Sequence, residues 1–218
     1  MMTFTNFKTI ALATLIVVGL MTQANESRAA GTETITVAGG CFWCVEADFE
    51  KVEGVTDAVS GYTGGAAAEP TYKEVTGGGT GHYEAVQITF DPGVISAGKI
   101  LDLFFRSVDP TDAGGQFCDR GESYRTAIFA TDAQMEAAAK AKADAQTALG
   151  QDIVTPILDA QTFYPAEEYH QDYYKGTKLV LTRFGPKRQA SAYKAYREAC
   201  GRDQRVKQLW GSAAPFAS

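Results

Sequence analysis

Metal-ligating side chains are scarce in this chain of 218 residues, which has two histidines and four cysteines. His82, His170, Cys118 and Cys200 stand far apart, and only Cys41 and Cys44 are closely spaced. A tetrahedral zinc centre takes four ligands, usually in close pairs, so this spacing argues against one. Basic runs are missing as well. The formal net charge is −6, which argues against nucleic acid or an anionic membrane surface as a partner. Beyond residue 30 no apolar stretch approaches spanning length, and there is no internal repeat or low-complexity linker.

The one long apolar run lies at the start. Lys8 supplies a positive charge, Ile10 to Met21 are mostly apolar, and small residues surround Arg28 at Ser27, Ala29 and Ala30. This is the pattern of a secretory signal peptide over residues 1–29, cleaved near Ala29, with an uncleaved amphipathic anchor as the alternative. The mature chain is then expected to be periplasmic or secreted, with no membrane contact after cleavage. The ~190 residues that remain suffice for one compact core. A monomer is expected, with an α/β domain over 32–180 and a C-terminal helical extension over 181–218. A chain of this size does not depend on disulfides for stability, so its cysteines call for another explanation.

Thr34 to Ala38 alternate as a half-buried strand, and Val45, Phe49 and Val52 recur at helical spacing. Gly39 and Gly40 between them form a strand-to-helix turn that sets Cys41 in the first turn of the helix. Unpaired N–H groups and the helix dipole favour an anion there, so the thiol is expected to ionise readily. Cys44, three residues on, could close a disulfide with it. A structural disulfide is the plainer alternative, but the bulky Phe42 and Trp43 between the cysteines favour a redox or nucleophilic role.

The rest reads as strand 54–61, a loop carrying Pro70, Thr71 and Tyr72, strand 83–90, a helix from Ser96 and a polar glycine-rich loop over 111–122. Strand 124–130, a helix over 132–149 and a short strand over 153–158 follow. Residues 166–175 and 189–209 read as helices, the last packing across the surface. Strand, helix, strand, strand, helix, strand is the order of a ferredoxin-like split βαβ sandwich, an α+β fold. Glu84 shares its strand face with Val86, Ile88 and Phe90. A carboxyl on that buried face has a raised pKa and can donate a proton, whereas one at the strand end could equally face solvent. Tyr72, Asp119 and Tyr124 are further polar residues on or beside loops, with His82 and Cys118 as neighbours.

Taken in order, Gly40-Cys41-Phe42-Trp43, Gly61 to Gly65, Pro70 to Val75, Gly81 to Val86 and Gly121 to Ile128 resemble peptide methionine sulfoxide reductases of the A type. The resemblance runs from about residue 34 to about 175. It implies reduction of the S epimer of methionine sulfoxide, free or in oxidised proteins and peptides, with no metal or organic cofactor. By motif, Cys41 is the nucleophile, Phe42 and Trp43 cage the methyl group, and Glu84 gives a proton to the sulfoxide oxygen. Tyr72 and Tyr124 hydrogen-bond that oxygen, and Asp119 helps hold substrate and water. The sulfenic acid left on Cys41 condenses with a second thiol, and a thioredoxin-like dithiol protein reduces the resulting disulfide.

Three departures from the family pattern concern that second thiol, one of them the cysteine at 118 beside Asp119. Cysteine stands at 44 where many members have glycine, and Cys200 lies in a charged helical stretch rather than a glycine-rich tail. Residues three apart in a helical turn have Cα atoms about 5 Å apart, within disulfide reach. Cys44 is therefore the expected resolving thiol, with Cys200 and Cys118 as alternatives. A thioredoxin-like oxidoreductase and a secreted binding module with structural cysteines are the rival readings.

Overall fold

The computed structural model describes residues 31–217. The expected signal peptide lies outside them. Strand β1 (Glu33–Gly39) buries Ile35 and Val37 and leaves Thr34 exposed, the alternation of a half-buried strand. Helix α1 (Phe42–Phe49) follows at once. Strand β2 (Val55–Thr63), helix α2 (Tyr72–Gly77), strand β3 (Tyr83–Phe90) and helix α3 (Ala97–Phe105) come next. The short strands β4 (Gly115–Gln116) and β5 (Asp119–Arg120) precede β6 (Thr126–Ala130), helix α4 (Met135–Leu149), β7 (Ile157–Asp159) and β8 (Tyr164–Pro165). Strands β9 (Leu179–Thr182) and β10 (Gly185–Arg188) and helices α5 (Gln189–Ala199) and α6 (Arg202–Trp210) complete the order.

The six-stranded sheet runs β7-β6-β1-β3-β2-β8. Its central β6-β1-β3-β2 strands are antiparallel throughout, so β1 and β2 are parallel in direction with β3 inserted between them. That is the split βαβ arrangement the sequence order implied, and the fold class is α+β with C-terminal helices. Ile35, Val37, Phe42, Val45, Phe49, Ile88, Leu101 and Phe104 meet in the core between the sheet and its helices. Ala138, Ala141 and Ala145 form a small-residue stripe, packed into the same core, on which α4 approaches α3.

Several expectations are corrected. The strand over 153–158 forms only at Ile157–Asp159, because the residues before it are held otherwise: Val154 N–H donates to the Pro110 carbonyl and Thr155 Oγ1 pairs with Thr126 Oγ1. Strand 124–130 begins at Thr126, since 122–124 form a 3₁₀ turn. The helix over 166–175 is replaced by turns and a 3₁₀ turn at Tyr173–Lys175. Gln171 takes over the local pairing there, accepting from Ser60 N–H and donating to the Ser60 and Ala166 carbonyls. The loop at Pro70 turns into α2 because Thr71 and Glu74 form a reciprocal capping box.

The last helix breaks at Gly201, φ +67°, into α5 and α6. It also does not lie on the surface alone. Ala192 and Tyr193 of α5 pack on Cys44 and Ala47 of α1, and Arg202, Val206 and Trp210 of α6 are buried. Helix α1 is therefore covered on the face away from the sheet, which is why seven of its eight residues are buried.

Candidate active site

The turn between β1 and α1 sets the site. Gly40 has φ +78°, and a Cβ there would come within 2.5 Å of Gln116 Cβ, so the turn requires glycine. Cys41 stands at the N-cap of α1 and is 6% exposed. Beside it opens a cavity of about 230 Å³ lined by Cys41, Phe42, Trp43, Tyr72, Glu84, Tyr124 and Tyr196. Three elements supply the polar groups: α2 brings Tyr72, β3 brings Glu84, and the turn before β6 brings Tyr124.

Glu84 is 2% exposed and its Oε2 accepts the Phe42 N–H at 3.1 Å. Burial pushes its carboxyl up to about 8. The Phe42 N–H opposes that, the Asp119 and Cys44 charges add to it, and the Tyr124 hydroxyl opposes it. Glu84 thus faces the core side of its strand rather than solvent, and it is a proton donor near neutral pH. Tyr72 and Tyr124 are also raised, by burial first and then by the Glu84 charge, so both hydroxyls stay protonated and able to donate.

The expected easy ionisation of Cys41 is corrected. Its thiol is held well above the ordinary value, first by the hydrogen bond with Cys44, then by burial and the charges on Cys44, Glu84 and Asp119. The hydrogen bond with Cys44 and burial outweigh the helix N-terminus. Cys44 moves the other way: the hydrogen bond from Cys41 lowers it, burial opposes, and the Arg202 and Arg197 guanidiniums lower it further. Both thiols are free, and the Cys44 N–H donates to the Cys41 carbonyl at 3.1 Å. Cys118 and Cys200, the alternative resolving thiols, are joined to each other, with Cα atoms 4.9 Å apart.

Asp119 is not on the cavity wall. It accepts a hydrogen bond from the hydroxyl of Tyr196, which does line the cavity, and burial raises its carboxyl against the pull of that bond and of Arg202 and Arg183. Cys118, Asp119 and Cys200 are the ligand-type residues that cluster near the site, and two of their three donors are used up in the disulfide. His82 serves the fold: its Nδ1 accepts the Gly65 N–H at 3.2 Å and its Nε2 lies 2.8 Å from the Ala67 carbonyl.

A nucleophilic sulfur, a buried acid and two phenols around an aromatic-walled cavity suit reduction of a small polarised group on an apolar side chain. The family model for peptide methionine sulfoxide reductase matches residues 33–212. The chain belongs to that family. It is 52% identical over 181 residues to a peptide methionine sulfoxide reductase MsrA 2 of Caulobacter vibrioides, covering 83% of this chain and 86% of the relative. Against the corresponding reductase of Listeria welshimeri the identity is 48%, covering 82% and 96%. Among solved structures, reduced Mxr1 of Saccharomyces cerevisiae is 37% identical with a TM-score of 0.64, covering 67% of this chain and 86% of that one. Methionine sulfoxide reductase A of Corynebacterium diphtheriae is 30% identical with a TM-score of 0.60, covering 68% and 76%. The family match runs well past residue 175, where the motif resemblance ends, so the extension is part of the matched region.

Three residues around the cavity were not assigned to the site from the sequence. Tyr196 closes one wall of the cavity from α5, with Cys200 four residues on, one helical turn away on the same face. Tyr173 stacks on Trp43 at 3.8 Å between ring centroids and 6° between planes. His170, pushed down to about 4 by burial, is a neutral acceptor for the Trp43 indole N–H at 3.1 Å. Each belongs to a segment whose placement on α1 depends on tertiary packing. The one available signal was the aromatic density between Tyr164 and Tyr174.

Proposed function

We propose that this chain reduces the S epimer of methionine sulfoxide, free or in oxidised proteins, with Cys41 as nucleophile and Glu84 as acid. The observation that carries it is Glu84: a buried carboxyl, pushed up to about 8, in the cavity that also exposes Cys41. A sulfoxide oxygen leaves poorly unless protonated, so the reaction needs a proton donor beside a sulfur nucleophile. Phe42 and Trp43 receive the S-methyl group, and Tyr72 and Tyr124 donate to the oxygen.

As Cys41 attacks the sulfoxide sulfur, Glu84 gives its proton to the oxygen and recovers one from the thiol. Oxygen passes to Cys41, methionine leaves two electrons richer, and Cys41 becomes a sulfenic acid. Cys44 then attacks that sulfenic acid, forming the Cys41–Cys44 disulfide and releasing water. The Arg202 and Arg197 charges that lower the Cys44 thiol favour its thiolate as attacker, and the pairing of Cys118 with Cys200 leaves Cys44 as the free neighbour. A thioredoxin-like dithiol protein returns the enzyme to its starting state.

Export through a leader at residues 1–29, to the periplasm or outside the cell, and a monomeric mature enzyme complete the proposal. The mass of the mature N-terminus tests cleavage near Ala29. The function itself is tested by assaying both sulfoxide epimers with Cys41→Ser as control, beside insulin reduction. Consumption of the S epimer alone is expected. Rapid insulin reduction with neither epimer consumed points instead to a general thiol–disulfide oxidoreductase.

A further inference from the structure

Strands β9 and β10 form a two-stranded hairpin apart from the main sheet. Its inner face is accounted for: Val180 packs on the cluster of Cys41, Cys44, Tyr173 and Tyr193. Its outer face is not. Leu179 and Leu181 are 74% and 86% exposed, Phe184 at the turn is 41% exposed, and cross-strand Pro186 and Arg188 are exposed beside the leucines. Apolar side chains gathered this openly on a soluble surface mark a place of contact.

Charge sets the same segment apart. The chain carries −6 overall, yet no Asp or Glu occurs from residue 176 to 196, where Lys178, Arg183, Lys187, Arg188 and Lys194 fall. None of these five is in an ion pair with the described residues. The hairpin also adjoins the reaction cavity: the Arg183 guanidinium lies over the Tyr196 ring at 5.6 Å, and Tyr196 is a cavity wall.

We propose that this hairpin is the docking surface for the polypeptide that carries the methionine sulfoxide, and that it selects extended stretches mixing acidic and apolar residues. The inference rests on the reading of the cavity as a sulfoxide site. A methionine sulfoxide seated beside Cys41 leaves its chain neighbours at the cavity rim, and an extended chain advances about 3.3 Å per residue. The three or four residues to one side therefore reach across the rim onto the hairpin. Leu179, Leu181 and Phe184 receive apolar flanks there, and the lysines and arginines attract acidic ones.

The test uses single turnovers of reduced enzyme, which isolate the substrate step from recycling. The substrates are free methionine sulfoxide and two peptides in which it is flanked by Asp and Leu or by Lys and Leu. The acidic peptide is expected to exceed the basic one in rate at limiting enzyme by about tenfold or more, a ratio that shrinks as salt is raised. Leu179→Ser/Leu181→Ser and, separately, Lys178→Glu/Lys187→Glu are expected to remove most of that advantage. Both variants keep the wild-type rate on free methionine sulfoxide, which also shows that they fold. An unchanged peptide ratio in both variants overturns the proposal. So does a defect confined to recycling by a dithiol protein, which would assign the hairpin to the reductant. Inactivity of the wild type on every sulfoxide overturns the reading of the cavity itself.

Discussion

Replacing Glu84 by Gln keeps the shape and most of the hydrogen bonding of the side chain but removes its transferable proton. At pH 7 a carboxyl raised to about 8 is protonated in roughly ten molecules for each one ionised, so the wild type holds its acid ready. General acids of this kind contribute about a hundredfold to ten-thousandfold, and Glu84→Gln is expected to slow the single-turnover rate by that amount. The wild-type rate falls above pH 8 as the proton is lost, and the variant shows no such limb. Stability moves in the opposite sense. Because the folded carboxyl holds its proton from 4.5 up to about 8 while the unfolded one has released it, wild-type stability declines as pH rises through that window. The full cost, present above pH 8, is of order 5 kcal/mol. Glu84→Gln escapes it and gains stability over the wild type at pH 8–9. Stopped-flow single turnovers and urea melts from pH 5 to 9 read both effects. A rate loss below about threefold, or parallel stability profiles for the two proteins, refutes the assignment.

Cys41→Ser abolishes even one equivalent of reduction, whereas Cys44→Ser consumes about one equivalent and stalls as a sulfenic acid that a dimedone-type probe captures. Cys200→Ser opens a bridge spanning 82 residues. It costs about 2–4 kcal/mol of stability in denaturant melts and leaves the first turnover intact. Arg202→Met strips the Gly39 and Ser107 carbonyls of donors at 3.2 and 2.9 Å, a loss of about 2–4 kcal/mol. It also removes one of the charges that lower the Cys44 thiol, so disulfide closure slows more than sulfoxide reduction does, as quenched-flow thiol counts will show.

The central fold and the heart of the site were legible because their signals are local. Alternation in 34–38 and 83–90, the glycine pair before Cys41 and the face shared by Glu84, Val86 and Ile88 each lie within one element, where side-chain period reports burial. Ordered motifs then supplied Tyr72 and Tyr124. The C-terminal third was less readable. Helical spacing over 189–209 gave no hint that Gly201 would adopt φ +67° and fold α6 back so that Arg202 is buried. Residues 166–175 carried helix-compatible residues, but Gln171 ties that backbone to β2, more than a hundred positions away. Tyr173, His170 and Tyr196 meet Trp43 only through such contacts. The ionisation of Cys41 was misjudged because the dipole of α1 is legible from the chain order, whereas the hydrogen bond with Cys44 and the burial that oppose it depend on how the thiols are oriented and covered.

The most direct measurement takes fully reduced protein through one exposure to a peptide methionine sulfoxide of each epimer, with methionine counted and the disulfides mapped by mass spectrometry. The account predicts about one methionine per chain from the S epimer, none from the R epimer, and a new Cys41–Cys44 bridge as the main product. Reduction of the R epimer, or a full equivalent of methionine with Cys41 left as a free thiol, would contradict the central claim. A main bridge from Cys41 to Cys118 or Cys200 would contradict the role given to Cys44.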